Sequence, residues 1–367
     1  MSEMSEVSEK KDLSALRERI DAVDSKLLAL LSERADLVAE IAEAKRASGL
    51  GTVDPERENA LLRKVIDRGA GRFPKEAIVA VFREIMSASV SLQSTVTVSY
   101  LGPAGTFSHT AARTLFGYAP RYVEAATIEG VFDAVRADRA QFGVVPLENS
   151  SEGSVASAIE ALLAGGVRIR REVVVPIEHC LMGRVAALPA VERVYSHPQG
   201  LAQCRDWLHR NVPHAQLVHT SSTAGAVQEA RRDPGGAAIG SALAGEIHGL
   251  PTLAARIQDH AENETRFVMI GKEDAKPTGD DKTTLAFAVR DDDNRGALRR
   301  VLAVIEDAGV NMTRIESRPR RGDAWRYMFV IDIEGHRDDA SVAAGIAALE
   351  ERCDRVQVLG SYPRYPR

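Results

Sequence analysis

The sequence predicts a multidomain fold: an all-α block, a larger α/β block, and a small α+β block of ferredoxin-like type. Three changes of rhythm predict it. Residues 12–95 carry only helical periodicity. From 96 to 272, short apolar runs alternate with helical stretches. After a polar segment at 273–282, with Pro277 and Gly279, the order over 283–367 becomes βαββαβ.

A first helix is expected over 12–48, which holds no glycine or proline. Leu13, Leu16, Ile20, Val23, Leu27, Leu30, Leu31, Val38 and Ile41 recur there at spacings of three and four. At ~1.5 Å per residue the helix is roughly 50 Å long, too long for a small domain to cover, so another long helix should pack on it. The polar stretch 1–11 reads as a disordered tail. Asp54 as cap and Pro55 at the first helical position open a second helix, to 68. Gly69 to Pro74 breaks it, and a third helix covers 75–93.

In the second block, strands are expected at 96–101, 142–145, 169–175, 194–195, 217–219, 237–239 and 267–270. Helices are expected at 128–137, 155–163, 201–211 and 223–232. Such alternation implies sheets with helices on both faces and ligands at loops beyond the strand ends. In the third block, strands are expected at 284–289, 312–317, 327–333 and 356–360, with helices at 296–308 and 340–351.

Composition narrows the function classes. Hydrophobic residues make up 44% of the 367 and charged residues 27%, the balance of a soluble globular protein. A net charge of −5 gives no nucleic-acid footprint. Cys180, Cys204 and Cys353 have neither CxxC nor Cys/His spacing, which argues against a disulfide framework and a zinc site and fits a reducing cytoplasm. No apolar run approaches the ~20 residues that cross a bilayer, and the N-terminus has no apolar core of a signal peptide, so no membrane is implied.

Arg17, Arg34 and Lys45 lie on the first helix. On a wheel of ~100° per residue, Arg34 and Lys45 fall about 20° apart, whereas Arg17 is about 100° from Arg34 and roughly 25 Å along the axis. One small ligand cannot touch all three on one straight helix, so Arg17 joins such a site only from a second copy. Asp54, Arg57 and Glu58 open the second helix, and Ser89 and Gln93 share a face of the third. This set has no nucleophile–base pair and suits placement and electrostatics. Cations on helices are mostly solvated, and spacing alone does not make these a site.

Leu16-Arg17, Ser32-Glu33-Arg34, Glu43-Ala44-Lys45, Val53-Asp54, Arg57-Glu58 and Ser89 with Gln93 resemble the all-helical class of chorismate mutases. The resemblance implies two intertwined chains, each site borrowing Arg17 from the partner. It further implies carboxylate contacts from Arg34, Arg57 and Ser89, ring-hydroxyl contacts from Glu58 and Asp54, and hydrogen bonds from Lys45 and Gln93 to the ether oxygen. That oxygen gains charge as its C–O bond breaks, so Lys45 and Gln93 would favour the transition state over the ground state.

Five polar clusters follow strands in the second block: Gly102 to Ser108, Pro146 to Ser150, Ser196 to Gln199, Ser221 to Ala224, and Asn263 to Phe267. Each alone reads most simply as a helix cap or turn. Gly102-Pro103-Ala104-Gly105 is neither a Walker loop nor GxGxxG, so no nucleotide is assigned. Taken in order, with Thr265-Arg266-Phe267, they resemble prephenate dehydratases, which implies a two-lobed, periplasmic-binding-protein-like cleft. The resemblance makes Thr265 the catalytic donor, with Glu148 as an alternative, and Arg266 the carboxylate anchor. Thr106, Ser108, Asn149, Ser150, Ser222 and Thr223 would line the cleft. His197, before Pro198, reads as structural.

In the third block, Gly296-Ala297-Leu298 opens a helix and Glu316-Ser317-Arg318-Pro319 ends a strand. The pair resembles the ACT regulatory domain of the same family. It implies phenylalanine bound by Gly296, Ala297, Leu298, Glu316, Ser317 and Arg318 between two such domains. Arg299 stands where an aliphatic residue is usual.

Together these resemblances imply a bifunctional chorismate mutase–prephenate dehydratase under phenylalanine control. The expected ligands are chorismate, prephenate and phenylalanine, with no metal or organic cofactor, no nucleic acid and no membrane. A homodimer or higher homo-oligomer is expected. The residues by themselves leave two alternatives: a helical block that only dimerises, or a two-lobed sensor in which Thr265 is a ligand contact.

Overall fold

The computed structural model describes residues 2–48, 55–69, 71–220, 222–290, 295–319 and 327–365. The first block is three helices: α1 (Ser2–Ala47), α2 (Pro55–Arg68) and α3 (Lys75–Gln93). α1 begins at Ser2, so the stretch expected to be a disordered tail is helical. Its Ser, Glu, Lys and Met residues include no glycine or proline to stop a helix. Among the described side chains of α1, Val38 and Ala42 near its C-terminal end are the buried ones. The rest of its apolar stripe is open, with Ile20 59% and Leu27 53% exposed.

The second block begins with β1 (Thr97–Leu101), α4 (Phe107–Phe116), β2 (Arg121–Ala125), α5 (Ile128–Arg136), β3 (Phe142–Asn149), β4 (Gly153–Ser154), α6 (Ala156–Leu163) and β5 (Arg168–Pro176). It continues with β6 (Cys180–Gly183), β7 (Arg193–Ser196), α7 (Pro198–Gln203), α8 (Arg205–Asn211), β8 (Gln216–His219), α9 (Thr223–Arg232), β9 (Gly236–Gly240), α10 (Ala242–His248), β10 (Thr252–Ala254) and β11 (Glu264–Gly271). These strands form two sheets, β2-β1-β3-β11-β5, with β4 beside β3, and β10-β6-β9-β7-β8. Each sheet is the centre of one lobe. The chain crosses between lobes after β5 and returns before β11, so Thr265 stands where the second crossing rejoins the first lobe.

Side-chain caps start the helices that face the space between the lobes. Thr106 accepts from the His109 amide, Ser222 from Gly225 and Ser241 from Ala244. Gly105 has φ +84°, and a Cβ there would lie 2.7 Å from the Ala244 Cα. The lobes thus meet almost backbone to backbone, where the Ser241 hydroxyl donates to the Gly105 carbonyl at 2.6 Å.

The third block comprises β12 (Asp281–Val289), α11 (Ala297–Asp307), β13 (Met312–Pro319), β14 (Tyr327–Glu334), α12 (Ala340–Arg352) and β15 (Cys353–Pro363). Its antiparallel order β13-β14-β12-β15 is the ferredoxin-like one. The expected linker at 273–282 ends in strand, because Asp281 and Lys282 already pair within β12. One sheet face packs under α11 and α12 through Leu285, Phe287, Ile331 and Ile333. The other joins the core of the first lobe, where Val330, Leu359 and Tyr362 meet Ile169 and Leu162. A Cβ at Gly360 would overlap the amide nitrogen and carbonyl oxygen of Ile169. No helix among the described residues is long and apolar enough to cross a membrane.

Candidate active site

Two places concentrate the expected residues. In the first block, Arg34 on α1 donates through Nη1 to the Ser89 hydroxyl on α3. Ser89 is buried and donates to the Ile85 carbonyl at 2.6 Å. Gln93, one turn on, donates to the Ser89 carbonyl at 3.4 Å, while its own Oε1 is buried without a partner. Lys45 is half-buried, as is Arg34. Arg17 is exposed and far along the same unbroken helix. Arg57 is exposed on α2. Asp54 and the Glu58 side chain lie outside the described residues. The structure therefore joins Arg34, Ser89 and Gln93 and leaves Arg17 apart, as the wheel required.

The second place is a cleft of about 320 Å3 between the two lobes. Thr106, Ser108, Asn149, Thr223 and Thr265 line it. Asn149 ends β3 directly opposite Thr265 on β11. Its Nδ2 donates to Thr265 Oγ1 at 2.8 Å and to Asn263 Oδ1 at 2.9 Å, while its Oδ1 accepts the amides of Ser151 and Glu152. Asn149 is thus locked in one orientation. A hydroxyl that accepts one hydrogen bond keeps its own proton to give, so the Thr265 O–H remains a donor.

Several expected residues are placed otherwise. Ser150 exchanges hydrogen bonds with the Glu262 carbonyl and the Glu264 amide, bracing the loop rather than lining the cleft. Ser222 also lies off the lining and is spent on the α9 cap. Arg266 does not reach the cleft. It follows Thr265 on a strand, so its side chain leaves from the opposite face. It donates to Glu172 Oε2 at 2.7 Å, Asp332 Oδ2 at 2.6 Å and the Tyr362 hydroxyl at 2.7 Å. Burial opposes its charge, but Tyr362, Asp332 and Glu172 hold the guanidinium well above its ordinary range. Burial likewise opposes ionisation of Asp332, and Arg266 holds that carboxyl below its ordinary value. Glu148 also faces away from the cleft, 3.1 Å from Arg314 Nε.

The cleft lining carries no lysine or arginine among the described residues. Hydroxyls and side-chain amides line it, together with the first residues of α4 and α9. Sequence reasoning missed Gln203 and His179, which also line it. His179 Nε2 lies 2.7 Å from Gln203 Oε1, and burial lowers the imidazole pKa, so the ring is neutral. These two come from different elements of the second lobe, and no local pattern links them. His197 lines the cleft too and accepts the Gln199 amide on Nδ1, a capping role.

In the third block, the effector candidates divide between two sheet faces. Ser317 pairs with Phe329 on the helix-covered face, the side on which Ala297 and Leu298 of α11 pack. Glu316 pairs with Val330 and Arg318 with Met328 on the face turned to the first lobe. Gly296 caps α11 with φ +75°, a left-handed position that suits glycine. Glu316 and Arg318 therefore do not share a face with Gly296, Ala297 and Leu298, because a strand cannot turn three consecutive side chains one way.

Comparison with known proteins agrees with this division. Residues 16–94 match the chorismate mutase type II family, 98–275 the prephenate dehydratase family and 291–351 the ACT domain. The bifunctional chorismate mutase/prephenate dehydratase of Aquifex aeolicus is 42% identical over 96% of this chain and 98% of its own. That of Stutzerimonas stutzeri is 39% identical over 98% and 99%. The crystal structure of the prephenate dehydratase of Arthrobacter aurescens in complex with L-Phe superposes with a TM-score of 0.67 at 37% identity, over 73% of this chain and 90% of that one. With a helical block, a two-lobed cleft and a ferredoxin-like block in this order, the chain belongs to the bifunctional chorismate mutase/prephenate dehydratase family.

Proposed function

We propose that the chain rearranges chorismate to prephenate in its helical domain and converts prephenate to phenylpyruvate in its cleft, with phenylalanine sensed by the ACT domain. The observation that carries the second step is the locked Asn149–Thr265 pair, with a hydroxyl proton left to donate into a cleft that has no lysine or arginine among its described residues.

In the mutase step the ether C–O bond breaks as a C–C bond forms. Lys45 and Gln93 donate to the oxygen on which charge collects, and Arg34, Arg57 and Ser89 hold carboxylates. Gln93 gives this bond through Nε2, the only donor of its amide, with the hydrogen that the Ser89 carbonyl leaves free. Asp54 and Glu58 meet the ring hydroxyl. Arg17 enters from a second copy, and the open stripe of α1 is the surface that copy covers. The working form is accordingly at least a homodimer.

In the dehydratase step the bond to the ring carboxylate breaks and CO2 leaves. Its electron pair enters the ring, and the ring C–O bond breaks on the opposite side. The departing hydroxyl takes a proton from Thr265, directly or through water, and Thr265 is reprotonated from solvent. A cleft without a fixed cation does not over-stabilise the carboxylate whose charge disperses in the transition state. Ser108, Thr223 and the amides opening α4 and α9 hold the pyruvyl carboxylate. Phenylalanine contacts Gly296, Ala297, Leu298 and Ser317. The three cysteines are free and buried, in keeping with a reducing cytoplasm.

The test is an assay of both steps on purified protein. Lys45→Ala removes chorismate consumption and leaves phenylpyruvate formation from prephenate. Thr265→Ala does the reverse. One substitution abolishing both steps, or neither abolishing its own, overturns the assignment.

A further inference from the structure

Behind the catalytic pair stands a second pair. Thr265 lies opposite Asn149, and Arg266 lies opposite Glu148 on the same two strands. Alternation sends the first pair into the cleft and the second toward the ACT sheet. There, Arg314 Nε approaches Glu148 Oε2 to 3.1 Å, and Asp332 takes Arg266 Nη1 at 2.6 Å. Arg314 also donates to the hydroxyl of Ser154, which pairs with Glu148 across β3 and β4, and to Glu316. Arg318 Nη1 stands 3.5 Å from the other oxygen of Glu316. A chain of charges therefore runs from Glu316 and Arg318 at the end of β13 to the back of the active site.

We infer that Arg314 and Asp332 are positioning residues that set the Asn149–Thr265 geometry through Glu148 and Arg266, and so carry the state of the ACT sheet to the dehydratase chemistry. Three observations favour this over simple adhesion. Apolar residues hold two packed surfaces together at less desolvation cost than buried ions do. The Glu148–Arg314 and Arg266–Asp332 pairs sit directly behind the catalytic pair, on the same two strands that carry it. The β3–β11 ladder has a bulge between Arg266 and Phe267, which frees this end of the strand pair from the register of the remainder. Adjacent Cα atoms are ~3.8 Å apart across one stiff peptide, so a displaced Glu148 displaces Asn149. The regulatory half of this inference rests on the reading of the ACT domain as the phenylalanine sensor.

The test uses full-length Arg314→Gln, Glu148→Gln, the double variant and Arg314→Lys. Each Gln variant should lower kcat for phenylpyruvate formation by about 10- to 100-fold, the effect of a misplaced catalytic group, with KM for prephenate within about twofold. Chorismate consumption stays at the wild-type rate. The double variant loses no more than the worse single one, and Arg314→Lys recovers part of kcat. Phenylalanine still binds by calorimetry but no longer inhibits. Wild-type kcat with full inhibition in both Gln variants overturns the inference. So does a joint fall of kcat, mutase rate and melting temperature, which would mark mere structural damage. If phenylalanine leaves the wild type unchanged, the sensor reading fails, and the kcat–KM split still decides the positioning role.

Discussion

Replacing Arg266 by Met separates the structural reading from the one the sequence suggested. A carboxylate anchor in the cleft would, when lost, raise KM for prephenate. The structure instead puts the cost in folding. Glu172 would keep Lys282 Nζ at 2.9 Å and the Tyr365 amide at 3.1 Å. Asp332 would keep only the Thr284 hydroxyl at 2.7 Å, in a site where it is 1% exposed. Removing one partner of a buried pair costs about 3–5 kcal/mol, and because one of the two carboxylates stays satisfied we take ~3. At roughly 2–4 °C per kcal/mol for a unit of this size, the dehydratase–ACT transition should fall by about 6–12 °C. Calorimetry of the full chain reads that shift, and steady-state kinetics on prephenate gives KM beside it. The expected result is a lower melting temperature and kcat with KM nearly unchanged. An unchanged melting temperature with KM raised tenfold would refute the reasoning and restore Arg266 to the cleft.

Two further outcomes follow from the geometry. Mixed and exchanged Arg17→Ala and Lys45→Ala chains should regain about a quarter of wild-type mutase activity, since half of the dimers are mixed and one of their two sites is intact. No recovery after verified exchange refutes the shared site. His109 stacks on Tyr100 at 4.5 Å and accepts the Gly105 amide, and burial, aided by Arg113, lowers its pKa to about 4. Its depressed pKa means that the unfolded chain takes up the proton first. The stability it contributes is complete above its ordinary 6.5 and is lost as pH falls from there toward about 4. Chemical denaturation across that window should show a shallower acid dependence for His109→Phe, and an identical slope would refute the assignment.

The helices of the first block were legible because they have strong periodicity and clear stops: α2 and α3 begin and end where Pro55, Gly69 and Pro74 imply. The wheel separated Arg17 from Arg34 and Lys45, whereas the roles of the mutase residues came from the family resemblance and not from their spacing. α4 was not foreseen because polar and small residues, Ser108, His109, Ala111 and Ala112, share its buried face with Leu115 and blur the apolar period. β6 and β10 escaped notice because they are short and hold their place only through the sheet. Arg266, Glu316 and Arg318 were misplaced although the sequence held the correcting signal. Thr265 and Arg266 are neighbours on an extended strand, and such neighbours face opposite ways. His179 and Gln203 had no such signal, because only the assembled second lobe brings them together.

Gly360 gives the regulatory contact its tolerance. Its missing side chain lets β15 lie directly on the backbone of Ile169 in the catalytic lobe. A methyl group there would act as a wedge, lifting one sheet from the other without altering any charge between them. Ion pairs at 2.6 and 3.1 Å fail over displacements smaller than that methyl. The spacing of the two sheets is therefore fixed by backbone contact, and the charges behind the active site work as a gauge of that spacing.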